Sequence, residues 1–195
     1  MPSRRSPAGA KAAVRRELLA RRLGIADLRA PAEAVTAHVL ALPTAVAGGC
    51  LAAYVPIGSE PGSLALLDEL ARCKVRVLLP VVAGVGLDWA AYDGTLVPGP
   101  WGLREPAGTR LGPGGLAAAD VVLVPALAVD RRGTRLGKGA GFYDRALADA
   151  RGGTPLVALL HDGELLDEPL PAEPHDIAMT AAITPAGGLI ELRSS

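Results

Sequence analysis

The segment from Val121 to Arg145, VVLVPALAVDRRGTRLGKGAGFYDR, restricts the fold more than any other part of the chain. It opens on an unbroken apolar run, Val121 to Val124, closed by Pro125. A short run without polar alternation describes a strand buried on both faces, as in the middle of a parallel sheet. The segment ends on Phe142 to Ala148, the entry of a helix expected to reach Ala150, where Arg151-Gly152-Gly153 stops it. Between strand and helix lie Gly133, Gly137, Gly139 and Gly141, interleaved with Arg131, Arg132, Arg135 and Lys138. Alternate glycines let successive backbone N–H groups turn toward one point and form a concave nest for an anion. A helix starting just beyond them adds its free N–H groups and the positive end of its dipole. Open α/β sheets bind their ligands on such loops.

Charge is concentrated there too. From Asp130 to Arg145, Arg131, Arg132, Arg135, Lys138 and Arg145 stand against Asp130 and Asp144, whereas the whole chain balances 20 basic against 20 acidic residues. A phosphate group suits such a loop. Two common phosphate loops are excluded by spacing. There is no GxxxxGK[ST], and Gly137-Lys138-Gly139-Ala140-Gly141 runs into Phe142 where GxGxxG requires a glycine. A glycine-basic loop alone is equally a surface turn with solvated arginines. The flanking strand, the flanking helix and the local charge together favour a binding role.

The remaining chain alternates the same two patterns. Ser6-Pro7 reads as an N-cap and first helical residue and Gly24 as a C′ glycine, with Val14, Leu18, Leu19 and Leu23 as the apolar stripe between them. Lys11 and Arg15 lie one turn apart on this helix and, taken alone, read as a solvated basic face. A second helix is expected over Pro31–Leu42, where His38 calls for no chemistry. Cys50–Val55 reads as a strand, and Ser63–Cys73 as a helix with Leu64, Leu67 and Leu70 on one side. Together they form a βα unit. Glu60, in the loop between them, suits either a helix cap or a ligand's N–H groups. Val75–Val82 is a further buried strand, and Leu87–Tyr92 a strand leading through Asp93-Gly94 into a hairpin. Trp101 is either a loop anchor or a flat face for a ring. Pro155–Leu160, Ile177–Thr184 and Leu189–Leu192 complete the strands.

Composition narrows the partners. Net charge is zero, which argues against a general nucleic-acid or membrane-surface binder. No apolar run has bilayer-spanning length, and no secretory apolar region follows the basic start. Cys50 and Cys73 show no metal or redox spacing and read as reduced thiols of a cytosolic protein. Only three of the 20 basic residues are lysines, Lys11, Lys74 and Lys138, and Lys138 falls in the glycine loop. A compact ammonium charge suits phosphate contact.

Asp130 to Arg145, DRRGTRLGKGAGFYDR, resembles the D-x-x-G-x-R-L-G-x-G-x-G-[YF]-Y-D-R signature of the 5-formyltetrahydrofolate cyclo-ligases, also called 5,10-methenyltetrahydrofolate synthetases. Lys11-Ala-Ala-Val-Arg15 is similar to the K-x-x-[LV]-R of that family's first helix, and Trp101 to Pro106 to its [WFY]-x-[IL]-x-x-P segment. Val75 to Val82 is like its V-x-L-P-V-V, and Leu170 to Asp176 like its L-P-x-x-x-H-D. The resemblance runs in consistent order from Lys11 to about Thr184.

What the resemblance implies is an α/β, single-domain Rossmann-like layered fold over residues 1–195, with a mostly parallel central sheet flanked by helices and flexible ends at 1–7 and 193–195. It implies ATP-dependent cyclisation of 5-formyltetrahydrofolate to 5,10-methenyltetrahydrofolate through a phosphorylated formyl intermediate, with ATP as co-substrate and Mg²⁺ as the metal. Lys138 and Arg135 are then the catalytic charges. Lys11, Arg15, Arg135, Gly137, Lys138, Gly139, Gly141 and Tyr143 hold ATP, and Val55, Glu60, Trp101, Lys138 and Phe142 meet the folate. Asp144 and Asp176 match the metal positions, although Asp144 alone also reads as a helix-start residue favoured by the dipole. The chain departs from the family at Gly62-Ser63 (Asp-Thr there), Val129 (usually Phe), Phe142 (Tyr in many relatives) and Glu164 (mostly Gln). The implied protein is a cytoplasmic monomer acting on small molecules, with no nucleic-acid or membrane partner. The alternatives are a catalytically silent folate- or nucleotide-binding protein of the same fold, and a sugar-phosphate or coenzyme A-handling enzyme on a similar one.

Overall fold

A computed structural model describes residues 7–173 and 176–192. Ser6, His175 and nearly all of the two ends expected to be flexible lie outside the described residues. In chain order the helices are α1 (Pro7–Leu23), α2 (Arg29–Leu40), α3 (Pro43–Val46), α4 (Leu64–Arg72) and α5 (Phe142–Ala146). The strands are β1 (Cys50–Ala52), β2 (Arg76–Ala83), β3 (Gly86–Ala91), β4 (Leu96–Pro98), β5 (Arg104–Pro106) and β6 (Val121–Pro125). They continue with β7 (Ala128–Asp130), β8 (Arg135–Leu136), β9 (Leu156–Leu159), β10 (Leu165–Leu166), β11 (Ala181–Thr184) and β12 (Gly188–Glu191).

The apolar runs meet in one sheet of order β12-β11-β9-β6-β1-β2-β3. Neighbours from β11 to β2 are parallel, and only the edge strands β3 and β12 are antiparallel. The α/β layered fold with a mostly parallel sheet is therefore as expected. From β1 the chain winds through α4 to β2 on one side, while β6, β9 and β11 are added on the other. The winding reverses between β1 and β6, and the carboxyl ends of those two strands diverge there into a crevice.

Alternation along each strand sorts its side chains onto two faces. Leu51, Leu79, Leu123, Leu159 and Ile183 pack with Val35 and Val39 of α2 and Leu66, Leu67 and Leu70 of α4. Ala52, Leu78, Val124, Ala158 and Ala182 face the opposite layer, with Trp89, Leu116 and Leu147. A chain with 3% aromatic residues must fill this layer with aliphatic carbon, and Trp89, 1% exposed, is its one fully buried ring.

Several boundaries differ from the sequence expectation, each for a local reason. Helix α2 starts at Arg29, whose N–H is taken by the Asp27 carboxylate at 2.8 Å, and stops at Leu40. Pro43, lacking an N–H, opens the separate turn α3. Gly24 is not left-handed: its N–H bonds Arg21 O at 3.0 Å, a tight three-residue closure of α1. The buried stripe of α4 is Leu66, Leu67 and Leu70, with Leu64 left 37% exposed. β3 folds back on β2 across Gly84-Val85, and the pair β4–β5 is a separate hairpin with Trp101 near its tip.

The largest departure lies inside the central segment. The chain does not pass straight from β6 to the glycine loop but first makes the hairpin β7–β8, which joins β10 in a second small sheet. Asp130 organises this hairpin. It is 1% exposed and accepts N–H groups of Arg132, Thr134 and Leu170, each at 2.9 Å. Helix α1 packs on the small sheet through Leu18, against Leu127, Ala128 and Leu136. This insertion sets α1 over the glycine loop.

Candidate active site

The crevice between β1 and β6 widens into a cavity of about 290 Å³. Tyr54 and Val55 line it from the end of β1, and Pro125, Ala126 and Leu127 from the end of β6. Pro80, Val82, Leu87, Trp101 and Leu103 contribute further apolar surface, and the stretch from Gly137 to Asp144 borders it. A mostly apolar recess edged by a few charges is what a flat heterocycle with polar substituents requires.

In the glycine loop Gly139 has φ +104° and Gly141 φ +70°, backbone states that other residues adopt only under strain. Lys138 stands between Gly137 and Gly139 and reaches across the cavity, placing Nζ 2.7 Å from Oε1 of Glu60. The other oxygen of Glu60 accepts the N–H of Ile57 at 2.9 Å. Glu60 is not the cap of α4. Ser63 is, its hydroxyl accepting the N–H of Leu66 at 3.1 Å. The Glu60 carboxylate is thus anchored on one oxygen and faces Lys138 with the other.

Arg135 is buried, ion-paired with Asp144, and donates to Pro125 O at 3.2 Å while its guanidinium lies 5.9 Å from the Tyr143 ring centroid. Its Nε and the Tyr143 hydroxyl are buried and have no hydrogen-bond partner among the described residues. Burial pushes the Tyr143 hydroxyl far above its ordinary pKa, with the Glu60 charge adding to the shift, so the group stays a donor. Leaving such donors unmet costs about 1–3 kcal/mol each. They mark where an acceptor belongs. Trp101, 74% exposed and left-handed at φ +54°, places its ring 6.0 Å from that of Phe142 at the cavity's edge.

Not every expected residue lines this cavity. Val55, Glu60, Trp101, Arg135, Gly137, Lys138, Gly139, Gly141, Phe142, Tyr143 and Asp144 do; Lys11, Arg15 and Asp176 do not. Arg15 approaches the loop from α1, its Nε donating to Gly137 O at 2.9 Å. Lys11 is 7% exposed and paired with Asp176 at 2.9 Å and Glu173 at 3.4 Å. The local excess of positive charge is also dispersed. Arg131 pairs with Asp167, and Arg145 bonds Val85 O and Ala140 O beside the Phe142 ring. Helix α5 is one short turn, followed by a tighter one over Leu147–Asp149, so the expected dipole contribution is correspondingly small.

The two positions expected to meet a metal already have cationic partners. Asp144 is ion-paired with Arg135, and Asp176 shares Lys11 with Glu173. No three acidic, histidine or cysteine side chains gather as a metal site among the described residues.

One feature of the cavity escaped the sequence reading. Arg22 reaches the lining from α1, bonds both oxygens of Glu164 at 2.7 and 2.8 Å, and donates to Ala126 O at 2.6 Å. Glu164 also takes the N–H of His161 at 2.8 Å. The signal was present: Lys11, Arg15, Leu18 and Arg22 are spaced 4, 3 and 4 apart, which is one face of a helix.

Known proteins of this shape are consistent in kind. A profile of the 5-formyltetrahydrofolate cyclo-ligase family matches residues 7–185. The 5-formyltetrahydrofolate cyclo-ligase of Mycolicibacterium smegmatis is 54% identical over 155 residues, covering 76% of this chain and 79% of that protein. The Escherichia coli cyclo-ligase is 31% identical over the same length, covering 76% and 85%. The NMR structure of Aquifex aeolicus 5,10-methenyltetrahydrofolate synthetase superposes with a TM-score of 0.80 at 28% identity, covering 95% of this chain and 94% of that one. Strand order, the site on the reversed crevice and these matches converge: the chain is an enzyme that belongs to the 5-formyltetrahydrofolate cyclo-ligase family.

Proposed function

We propose that the protein uses ATP to convert 5-formyltetrahydrofolate to 5,10-methenyltetrahydrofolate, releasing ADP and phosphate. The observation that carries this reading is the apolar cavity at the β1–β6 crevice bridged by Lys138 and Glu60. One partner suits a transferring phosphoryl group and the other the N–H edge of a pterin.

A formamide oxygen leaves poorly, so it is first phosphorylated. The formyl oxygen attacks the γ-phosphorus, the bond to ADP breaks, and an imidate phosphate forms. N10 of the folate then adds to the activated carbon and loses its proton, and phosphate departs with the former formyl oxygen as the ring closes. Phosphoryl transfer depends on positioning and charge neutralisation. Lys138 supplies charge between the γ-phosphate and the formyl oxygen, and Arg135 with the Tyr143 hydroxyl supplies donors behind it. Val55, Trp101 and Phe142 bracket the folate rings. Lys11 and Arg15 meet the distal phosphates across the glycine loop, with Lys11 exchanging Asp176 for phosphate. Asp144 and Asp176 would supply carboxylate oxygens to Mg²⁺, which would neutralise charge on the ATP phosphates.

In this reading the whole chain acts as one domain and as a cytoplasmic monomer on two small molecules, without nucleic acid or membrane. Zero net charge supports it, and no described helix is long and apolar enough to cross a membrane. An absorbance assay in the methenyl-folate band, run with and without ATP, tests the reading directly. ATP-dependent growth of the band is expected. Folate and ATP binding without turnover would favour the silent binding protein instead.

Two consequences arise at once. Lys11→Ala and Arg15→Ala are expected to raise the KM for ATP more than that for the folate, and unchanged ATP affinity in both variants would reduce α1 to a structural element. Glu60→Gln keeps the size of the side chain but offers an amide N–H where the pterin presents donors. Folate affinity is expected to fall by about 1.5–3 kcal/mol, the value of a hydrogen bond to a charged group, with ATP affinity and Tm nearly unmoved. Titration calorimetry and a melting curve on this one variant check both halves.

A further inference from the structure

We propose that Glu60 and Lys138 form an exchange pair that couples the two ligand sites, so that nucleotide binding frees Glu60 for the folate. The inference rests on the functional reading above and assigns that site a binding linkage of its own.

The two partners differ in how they are held. Glu60 is the fixed member: its side chain is 9% exposed and one oxygen is tied to Ile57 N at 2.9 Å. Lys138 is the movable one, 48% exposed, on a flexible four-carbon stem between Gly137 and Gly139. At 2.7 Å from Oε1, its ammonium occupies the oxygen of Glu60 not used by Ile57. A ligand N–H directed at that oxygen must displace it. A phosphate arriving at the glycine loop attracts the same ammonium, and its greater charge draws Lys138 off the carboxylate. Glu60 is then partly buried, unpaired and in need of donors, which raises its affinity for the N–H edge of the second ligand. By linkage the effect is reciprocal: the folate, by occupying Glu60, releases Lys138 toward the phosphate. Neither ligand alone needs to move the backbone.

The test is calorimetric titration of 5-formyltetrahydrofolate with and without a saturating non-hydrolysable ATP analogue, on the wild-type chain, Lys138→Met and Glu60→Gln. The analogue is expected to tighten folate binding to the wild type about tenfold, within the usual range for coupled sites. Lys138→Met is expected to bind folate more tightly than the wild type in the absence of nucleotide, with little further gain from the analogue. A positioning lysine lost for structural reasons alone would not improve binding. Equal folate affinity with and without the analogue in the wild type overturns the proposal, as does Lys138→Met weakening folate in the binary complex. Glu60→Gln with undiminished folate affinity also overturns it, while an ATP-dependent methenyl band from the wild type leaves the functional reading standing. Absence of folate binding in every form, together with no methenyl band, would remove the functional reading itself.

Discussion

Lys138→Ala is expected to lower kcat by about 10²- to 10³-fold while the protein remains folded. The size follows from its role: a charge placed where negative charge redistributes during phosphoryl transfer commonly contributes on that order. The location supports the role. Lys138 lies on the cavity border between glycines, so no side chain stands beside it on the loop to take over its charge. Of the neighbouring cations, Arg135 is committed to Asp144 and Pro125 O, and Arg15 donates to Gly137 O. The fold should survive because the Lys138 side chain is half exposed and belongs to none of the three apolar clusters. The ratio of kcat values, measured with both substrates saturating, is the relevant quantity, since folate affinity is expected to move the other way. A variant that keeps more than about a third of the wild-type kcat would show that the loop merely turns.

How far the sequence could be read depended on what kind of pattern carried the information. Continuous runs such as Val121–Val124 and Leu156–Leu159 are buried on both faces and were legible, because short apolar runs bounded by turn residues fit central parallel strands. The parallel order followed from alternation of such runs with helices. The β7–β8 hairpin was not legible: Ala128 to Asp130 is too short to show a period, and its stability comes from one carboxylate binding three backbone N–H groups. The buried face of α1 was misread for a related reason. Leu19 and Leu23, apolar and correctly spaced, are 41% and 88% exposed, while Lys11 and Arg22 are buried. Their polarity hides them from an apolar count, and only their carboxylate partners, 165 and 142 residues away, make the burial possible. Glu60 illustrates the converse. Its residue type allowed both a cap and a ligand contact; Ser63 takes the cap, and Glu60 lies on the cavity paired with Lys138.

Glu164→Ala is expected to destabilise the protein by about 3–5 kcal/mol, the cost of removing one partner from a buried ion pair. Arg22 and Glu164 are 3% and 5% exposed, and the pair is bidentate. Among the described residues, truncation leaves the guanidinium with Ala126 O as its remaining hydrogen-bond partner and removes the acceptor of His161 N–H as well. Domains of this size are held by only about 5–15 kcal/mol in total, so the loss is a large fraction. At about 2–4 °C per kcal/mol for a chain of this length, Tm should fall by roughly 6–20 °C. Glu164→Gln should cost less, because the amide oxygen still accepts from Arg22, though the charge is no longer matched. The pair also joins α1 to the segments following β6 and β9. The double variant Arg22→Met, Glu164→Leu separates the two contributions: it removes both charges together and should recover much of the stability lost in Glu164→Ala. Thermal melts of the three variants at one pH and salt concentration decide the matter. A Glu164→Ala protein melting within about 2 °C of the wild type would mean that water reaches Arg22 and that the pair does not hold α1 against the sheet.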